Sequence, residues 1–125
     1  YAAVAGAGRS LGYVNAPSLF QQVTSLCCDM TSDLRVYEEN RNLFVSSLRE
    51  MGYHVVEPGG AFYLFPRSLE PDDAAFSERA KKLDLLVVPG GGFGAPGHVR
   101  ISYCVQTETI RRALPKFQAL ADSYR

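Results

Sequence analysis

A chain of 125 residues, 46% hydrophobic and 21% charged, has the makeup of a globular domain and can bury roughly two thirds of the surface its unfolded chain would expose. Thirteen basic residues balance thirteen acidic ones, which argues against a global field steering the chain toward nucleic acid or an anionic membrane surface. No apolar run approaches the ~18 residues of a membrane span, so neither nucleic acid nor a membrane is expected as a partner.

The chain opens at Tyr1 on the small-residue run YAAVAGAG, without an initiator Met, and is expected to be a piece of something longer. From Pro17 to about Cys28 a helix is expected. Pro17 suits an early helical position, and Leu19, Phe20, Val23, Leu26 and Cys27 fall on one inward face. Leu34, Tyr37, Arg41, Phe44, Leu48 and Met51 then recur at three- and four-residue steps. Thr31, Ser32 and Asp33 offer caps ahead of that second helix, and Gly52 is a stop behind it. Tyr53–Glu57 and Ala61–Phe65 read as short strands joined by Pro58-Gly59-Gly60, a turn sequence suited to a hairpin. Asp72 or Asp73 caps a helix to about Leu83, with Phe76, Ala80 and Leu83 inward. Leu85–Val88 and Val99–Val105 are apolar runs of strand length. Thr107 then caps a last helix with Ile110, Leu114, Phe117, Leu120 and Tyr124 on one face, and Pro115 predicts a kink or early break in it. The order ααββαββα describes an α+β domain, a small sheet of about four strands covered by helices.

Between the last two strands, Gly92, Gly94 and Gly97 spell G-x-G-x-x-G, the pattern of dinucleotide-binding turns. Such a turn needs a helix behind it to carry the pyrophosphate. Here His98-Val99-Arg100-Ile101-Ser102-Tyr103 follows and reads as a strand, Pro96 removes a backbone donor, and no acidic residue stands about twenty positions on. The pattern predicts a strand-to-strand connection rather than a nucleotide cradle. In the strand behind it, Val99, Ile101 and Tyr103 share one face and Arg100, Ser102 and Cys104 the other. A guanidinium on a rigid strand suits bidentate capture of a carboxylate, although a solvated surface arginine has the same pattern.

Other constellations are thin. Three cysteines, two of them adjacent at Cys27 and Cys28, fit a reduced, cytoplasmic setting, and all three are expected to fill core space. His54 and His98 are far apart in sequence, and no cysteine–histidine spacing matches a zinc site. Arg41 falls on an apolar stripe, so its stem is expected along the core edge with its head in solvent or paired with a carboxylate.

Four segments together resemble successive landmarks of one family. They are Gly12-Tyr13-Val14-Asn15-Ala16-Pro17-Ser18-Leu19-Phe20-Gln21, Pro58-Gly59-Gly60-Ala61-Phe62-Tyr63-Leu64-Phe65-Pro66, Leu86-Val87-Val88-Pro89-Gly90 to Phe93-Gly94, and Gly97-His98-Val99-Arg100-Ile101-Ser102-Tyr103. The chain resembles, from about Ser10 to Tyr124, the C-terminal part of the pyridoxal-phosphate-dependent class I/II aminotransferases of fold type I, in their aspartate-aminotransferase-like branch. The resemblance implies that residues 1–125 form the small domain of such an enzyme, packed in the intact protein on a larger cofactor-binding domain. It implies that Arg100 binds the substrate α-carboxylate, and that Phe62 lines the substrate side of the cleft. A plain core phenylalanine is the competing reading of Phe62.

The same resemblance places the Schiff-base lysine and the pyridoxal phosphate site in the large domain, outside this chain. The three lysines here stand elsewhere. Lys81 and Lys82 read as a solvated helix end, and Lys116 lies beside Pro115. No catalytic residue, cofactor ligand or metal ligand is therefore expected in the chain, and the fragment alone is expected to be inactive. The intact enzyme is expected to be a homodimer moving an amino group between an amino acid and a 2-oxo acid. Two other readings stay open: a free-standing α+β module binding a small carboxylate ligand, and a structural domain that mediates assembly.

Overall fold

The computed structural model describes residues 1–60 and 62–125 and divides into two units, Tyr1–Ser32 and Asp33–Arg125. The first holds helices α1 (Ala2–Ser10) and α2 (Ser18–Cys27). Helix α1 was not legible in the small-residue run, whose glycines weaken a helix. Helix α2 begins one residue after Pro17, whose extended ψ of 136° sets it at the cap position. Neither helix buries a residue, so the expected inward face of α2 lies open. Two short helices in 32 residues are too little chain to close a core.

The second unit is an α+β layer. Helix α3 (Leu34–Glu50) starts at Asp33, whose carboxylate accepts from the Arg35 N–H at 3.1 Å, and stops at Gly52, whose φ of 94° a side chain would resist. Its C-terminal half buries Phe44, Val45 and Leu48, while Leu34 and Tyr37 remain exposed. Arg41 lies along the core edge and pairs with Glu38 at 3.4 Å and Glu57 at 3.8 Å, the second of the two fates its place on the stripe leaves open. Helix α4 (Asp73–Lys81) is capped by Asp72, which accepts from Ala74 and Ala75 at 3.0 Å, and it buries Phe76 and Ala80.

Three strands, β1 (Tyr63–Leu64), β2 (Val88–Pro89) and β3 (Val99–Ser102), form an antiparallel sheet in the order β1-β3-β2. Helix α5 (Thr107–Asp122) closes the chain. Leu64, Val99 and Ile101 join the apolar faces of α3, α4 and α5 in one core, where Phe44, Tyr53 and Phe76 meet Phe117 or one another edge-to-face.

Among the described residues the sheet has three strands rather than four, and they are shorter than the apolar runs predict. In each case side chains or α4 take the backbone groups that a ladder would use. Arg49 donates Nε and Nη2 to the Val55 carbonyl at 3.1 and 3.0 Å, so Tyr53–Glu57 passes as extended chain, tied to Arg67 by a single backbone bond at His54. The expected hairpin partner Ala61–Phe65 reduces to β1, and Ala61 lies outside the described residues. The Leu85 N–H returns to Ala80 and Ser77 Oγ donates to the Val87 carbonyl at 2.7 Å, which delays β2 to Val88. Asn40 takes the carbonyls of Tyr103 and Val105, ending β3 at Ser102.

Two expectations for α5 need correction. Thr107 is its first residue rather than its side-chain cap, because its hydroxyl donates to Asn40 Oδ1 at 2.8 Å. The helix also runs through Pro115 to Asp122, with the exposed proline on its solvent side, where water can take up the carbonyl that loses its donor.

Candidate functional site

Strand β3 alternates as its sequence predicts: Val99 and Ile101 are buried, and Arg100 and Ser102 emerge half-buried on the opposite face. Arg100 is opposite Val88 of β2, and Tyr63 of β1 is opposite Ser102, so Tyr63 is the diagonal neighbour of Arg100. The Arg100 guanidinium carbon lies 4.5 Å from the centre of the Tyr63 ring and 4.1 Å from that of Phe93. Contacts of this kind are worth about 0.5–2 kcal/mol each. They hold the planar fork while leaving its edge donors unused. Among the described residues Arg100 forms no ion pair and its guanidinium donates no hydrogen bond.

Phe93 is delivered by the glycine-rich connection. Gly91–Phe93 form a 3₁₀ turn, closed by Gly94 at φ 74°, and Gly97 has φ 72°. Gly90 is the tightest point. Its N–H donates to the His98 carbonyl at 2.8 Å, and its own carbonyl accepts from Phe93 and Ala95 at 2.8 and 3.0 Å. A methyl group there would lie 2.4 Å from the Ala95 oxygen and 2.7 Å from the His98 oxygen, both backbone atoms that cannot rotate aside. Asp73, in the first turn of α4, accepts from the Gly91 N–H at 2.9 Å. The connection leads into β3 and not into a helix, so it aims an aromatic ring at Arg100 and has no helix end to offer a phosphate.

Phe62 is 39% exposed, which removes the core reading. Its ring lies 4.7 Å from that of Tyr63, and its carbonyl accepts from the Tyr103 N–H at 3.0 Å. Phe65 meets Phe93 edge-on at 6.2 Å. The structure thus joins both residues singled out in the sequence, Arg100 and Phe62, through Tyr63. It adds Tyr63 and Phe93, which sequence reasoning missed because the strand register that brings them to Arg100 is non-local.

Asn40 also escaped sequence reasoning. It is buried, with Nδ2 donating to the Tyr103 and Val105 carbonyls at 3.1 and 2.7 Å and Oδ1 accepting from Thr107. It fixes the end of the strand that carries Arg100. The signal was available: Asn40, Phe44 and Leu48 fall at i, i+4 and i+8, and an asparagine on such a stripe competes poorly for a helix interior unless its amide is satisfied.

The lysines and cysteines are peripheral. Lys81 pairs with Glu78 at 3.5 Å and Lys116 with Asp84 at 2.9 Å, and Lys82 is exposed. Cys27, Cys28 and Cys104 are all exposed and free, against the expectation that they fill core space. The first two belong to the unit without a core, and Cys104 follows β3 on the face of Arg100. No group of three or more metal-ligating side chains occurs among the described residues, and no described helix is long and apolar enough to cross a membrane.

Comparison with known proteins places the chain in a family. The profile described as Aminotransferase class I and II matches residues 11–117. An aspartate aminotransferase from Thermotoga maritima is 32% identical over 111 residues, covering 88% of this chain and 29% of that protein. An aromatic-amino-acid aminotransferase 2 from Thermococcus litoralis is 42% identical over 89 residues, covering 67% of this chain and 23% of that protein. Among solved structures, an amino transferase from Eubacterium rectale superposes on 100% of this chain with a TM-score of 0.87 and 51% identity, using 31% of its own length. The chain therefore spans less than a third of each of these proteins.

Proposed function

Because this chain belongs to the class I and II aminotransferase family, we propose that it is the C-terminal small domain of an amino-acid aminotransferase and the part that grips the substrate α-carboxylate. The observation that carries this reading is the Arg100 guanidinium, clamped between Tyr63 and Phe93 with no acidic partner among the described residues. A carboxylate reaching the edge of that fork gains two parallel charge-assisted hydrogen bonds. The rings on either side keep the fork from turning away, so the bound acid has one orientation and its Cα is presented at a fixed point. Phe62, exposed beside Tyr63, supplies an apolar wall next to the carboxylate. Closing such a wall over the acid excludes water and strengthens the ion pair.

Pyridoxal phosphate supplies the amino-group chemistry of this family, and in this reading residues outside the chain hold it. The chain's own lysines do not fit that task. A carrier lysine is made nucleophilic at neutral pH by desolvation or a neighbouring cation, whereas Lys81 and Lys116 lie in solvent-accessible pairs with carboxylates, which favour the ammonium. The substrates proposed for the intact enzyme are an amino acid and a 2-oxo acid. The aspartate-like preference is supported by the Thermotoga relative; the Thermococcus relative is named for aromatic acids, and both classes share the carboxylate that Arg100 would hold. The intact enzyme is proposed to be a cytoplasmic homodimer.

The test is Arg100→Ala in the intact enzyme. Losing a bidentate charged contact lowers kcat/KM by on the order of a hundredfold to a thousandfold. Arg100→Lys recovers only part of it, because an ammonium is a point charge and not a fork. Unchanged kcat/KM in Arg100→Ala would overturn the assignment.

A further inference from the structure

We propose that a second site lies in the concavity of about 830 Å³ lined by His54, Arg67 and His98, and that it binds a phosphoryl group. Arg100 is not among its lining residues, and the register that pairs Tyr63 with Ser102 and Arg67 with His98 makes Arg67 its diagonal neighbour on the same face. The three basic side chains are distant in sequence, and extended backbone brings them side by side. The Arg67 N–H donates to the His54 carbonyl at 3.0 Å, and Arg67 and His98 form an antiparallel bridge. Directly opposed residues project to the same side with Cβ atoms about 5 Å apart, so Arg67 and His98 rise together from one wall.

Charge and access favour an anion here. Arg67 and His54 are exposed and His98 is half-buried. Among the described residues the Arg67 guanidinium forms no ion pair and donates no hydrogen bond. Glu70 is the carboxylate among the lining residues. It is already engaged, by Arg79 Nε at 3.2 Å and by the Tyr124 hydroxyl, so it does not neutralise Arg67. His98 Nδ1 donates to the Pro96 carbonyl at 3.1 Å, which fixes the ring and leaves Nε2 to give a hydrogen to an anion when the imidazole is protonated.

The wall is preformed. Ser68, largely buried, donates its N–H to the Gly97 carbonyl at 3.0 Å, and its hydroxyl lies between the carbonyls of Glu70 and Gly97 at 2.6 and 2.8 Å. Gly52 and Gly97 contribute no side chain, so a ligand can approach the backbone closely. A guanidinium fork with two flanking imidazoles matches the several acceptor oxygens of a tetrahedral oxyanion better than a single carboxylate.

The test is a titration of the ¹⁵N-labelled 125-residue chain near pH 6, followed by NMR. One arm adds inorganic phosphate, one adds glycerol 3-phosphate, and a control adds chloride at matched ionic strength. The expected result is saturable shifts centred on His54, Arg67 and His98 in both phosphate arms and none of that pattern with chloride. Tighter binding of the ester assigns the site to phosphorylated metabolites, and tighter binding of the free ion assigns it to phosphate itself. Arg67→Gln, at an exposed position with no side-chain bonds among the described residues, should melt at the wild-type temperature and bind at least about tenfold more weakly. Arg100→Gln should weaken binding less than Arg67→Gln does. Shifts that follow ionic strength alone, that persist in Arg67→Gln, or that vanish in Arg100→Gln would each overturn the proposal.

Discussion

Helices α2 and α5 carry the same kind of apolar stripe and meet opposite fates. On α5, Ile110, Phe117 and Leu120 are at most 2% exposed; on α2, Leu19, Phe20 and Leu26 are at least 62% exposed. The difference lies in what each unit supplies as a partner. Residues 33–125 hold three helices and a sheet whose apolar faces converge, and residues 1–32 hold two short helices that bury nothing. A three- to four-residue period identifies a face that gains by burial. It says nothing of where the covering surface comes from.

The comparison breaks most sharply at two phenylalanines. Phe76 is fully buried between Tyr53 and Tyr124, so Phe76→Ala removes its burial and leaves a cavity, lowering unfolding free energy by about 3–5 kcal/mol. Phe20→Ala changes a side chain that is largely in solvent, and the expected change is within about 0.5 kcal/mol. Urea unfolding of both variants measures the contrast. Comparable losses would mean that the first unit has a core of its own in solution.

A smaller effect separates the core from the strand ends that serve the site. Asn40→Ala strips the amide donors from the Tyr103 and Val105 carbonyls and the acceptor from Thr107. Satisfied buried polar groups of this kind are costly to orphan, and a loss of about 2–3 kcal/mol is expected. Faster amide exchange should concentrate around residues 99–107, while α4 keeps its protection. If stability falls without that local signature, Asn40 supports the core generally and does not hold β3.

What was legible followed from local rules. Asp33 and Asp72 as caps, Gly52 as a stop and the burial alternation of β3 were all readable from neighbours within a few residues. The misread strand lengths have one cause. Arg49, Ser77 and Asn40 take carbonyls that an apolar run alone would assign to a ladder, and each does so through tertiary placement. At the site, Arg100 was visible as a lone charge on an alternating strand. Tyr63 and Phe93 were not, because the clamp depends on the β1-β3 register and on where Gly90 forces the connection to turn.

The smallest predicted effect appears only in alkali and belongs to the second unit. The Tyr124 hydroxyl donates to Glu70, with Arg79 over its ring. Burial first, then the hydrogen bond to Glu70 and that residue's negative charge, push its pKa from the ordinary 10.0 up to about 12. Tyr53 is raised in the same direction, chiefly by burial, and its hydroxyl donates to the Phe117 carbonyl at 2.9 Å. Below pH 10 both the folded and the unfolded chain keep these protons, so neither tyrosine makes stability depend on pH. Between pH 10 and about 12 the unfolded chain releases protons that the folded chain retains, and stability falls as pH rises. Urea midpoints taken from pH 9 upward should therefore decline as pH rises past 10, with a shallower decline in Tyr124→Phe, where Tyr53 still contributes. An equal slope in the variant would show that the Glu70 contact does not hold the Tyr124 proton, and that the C-terminal end of α5 is looser than the core it covers.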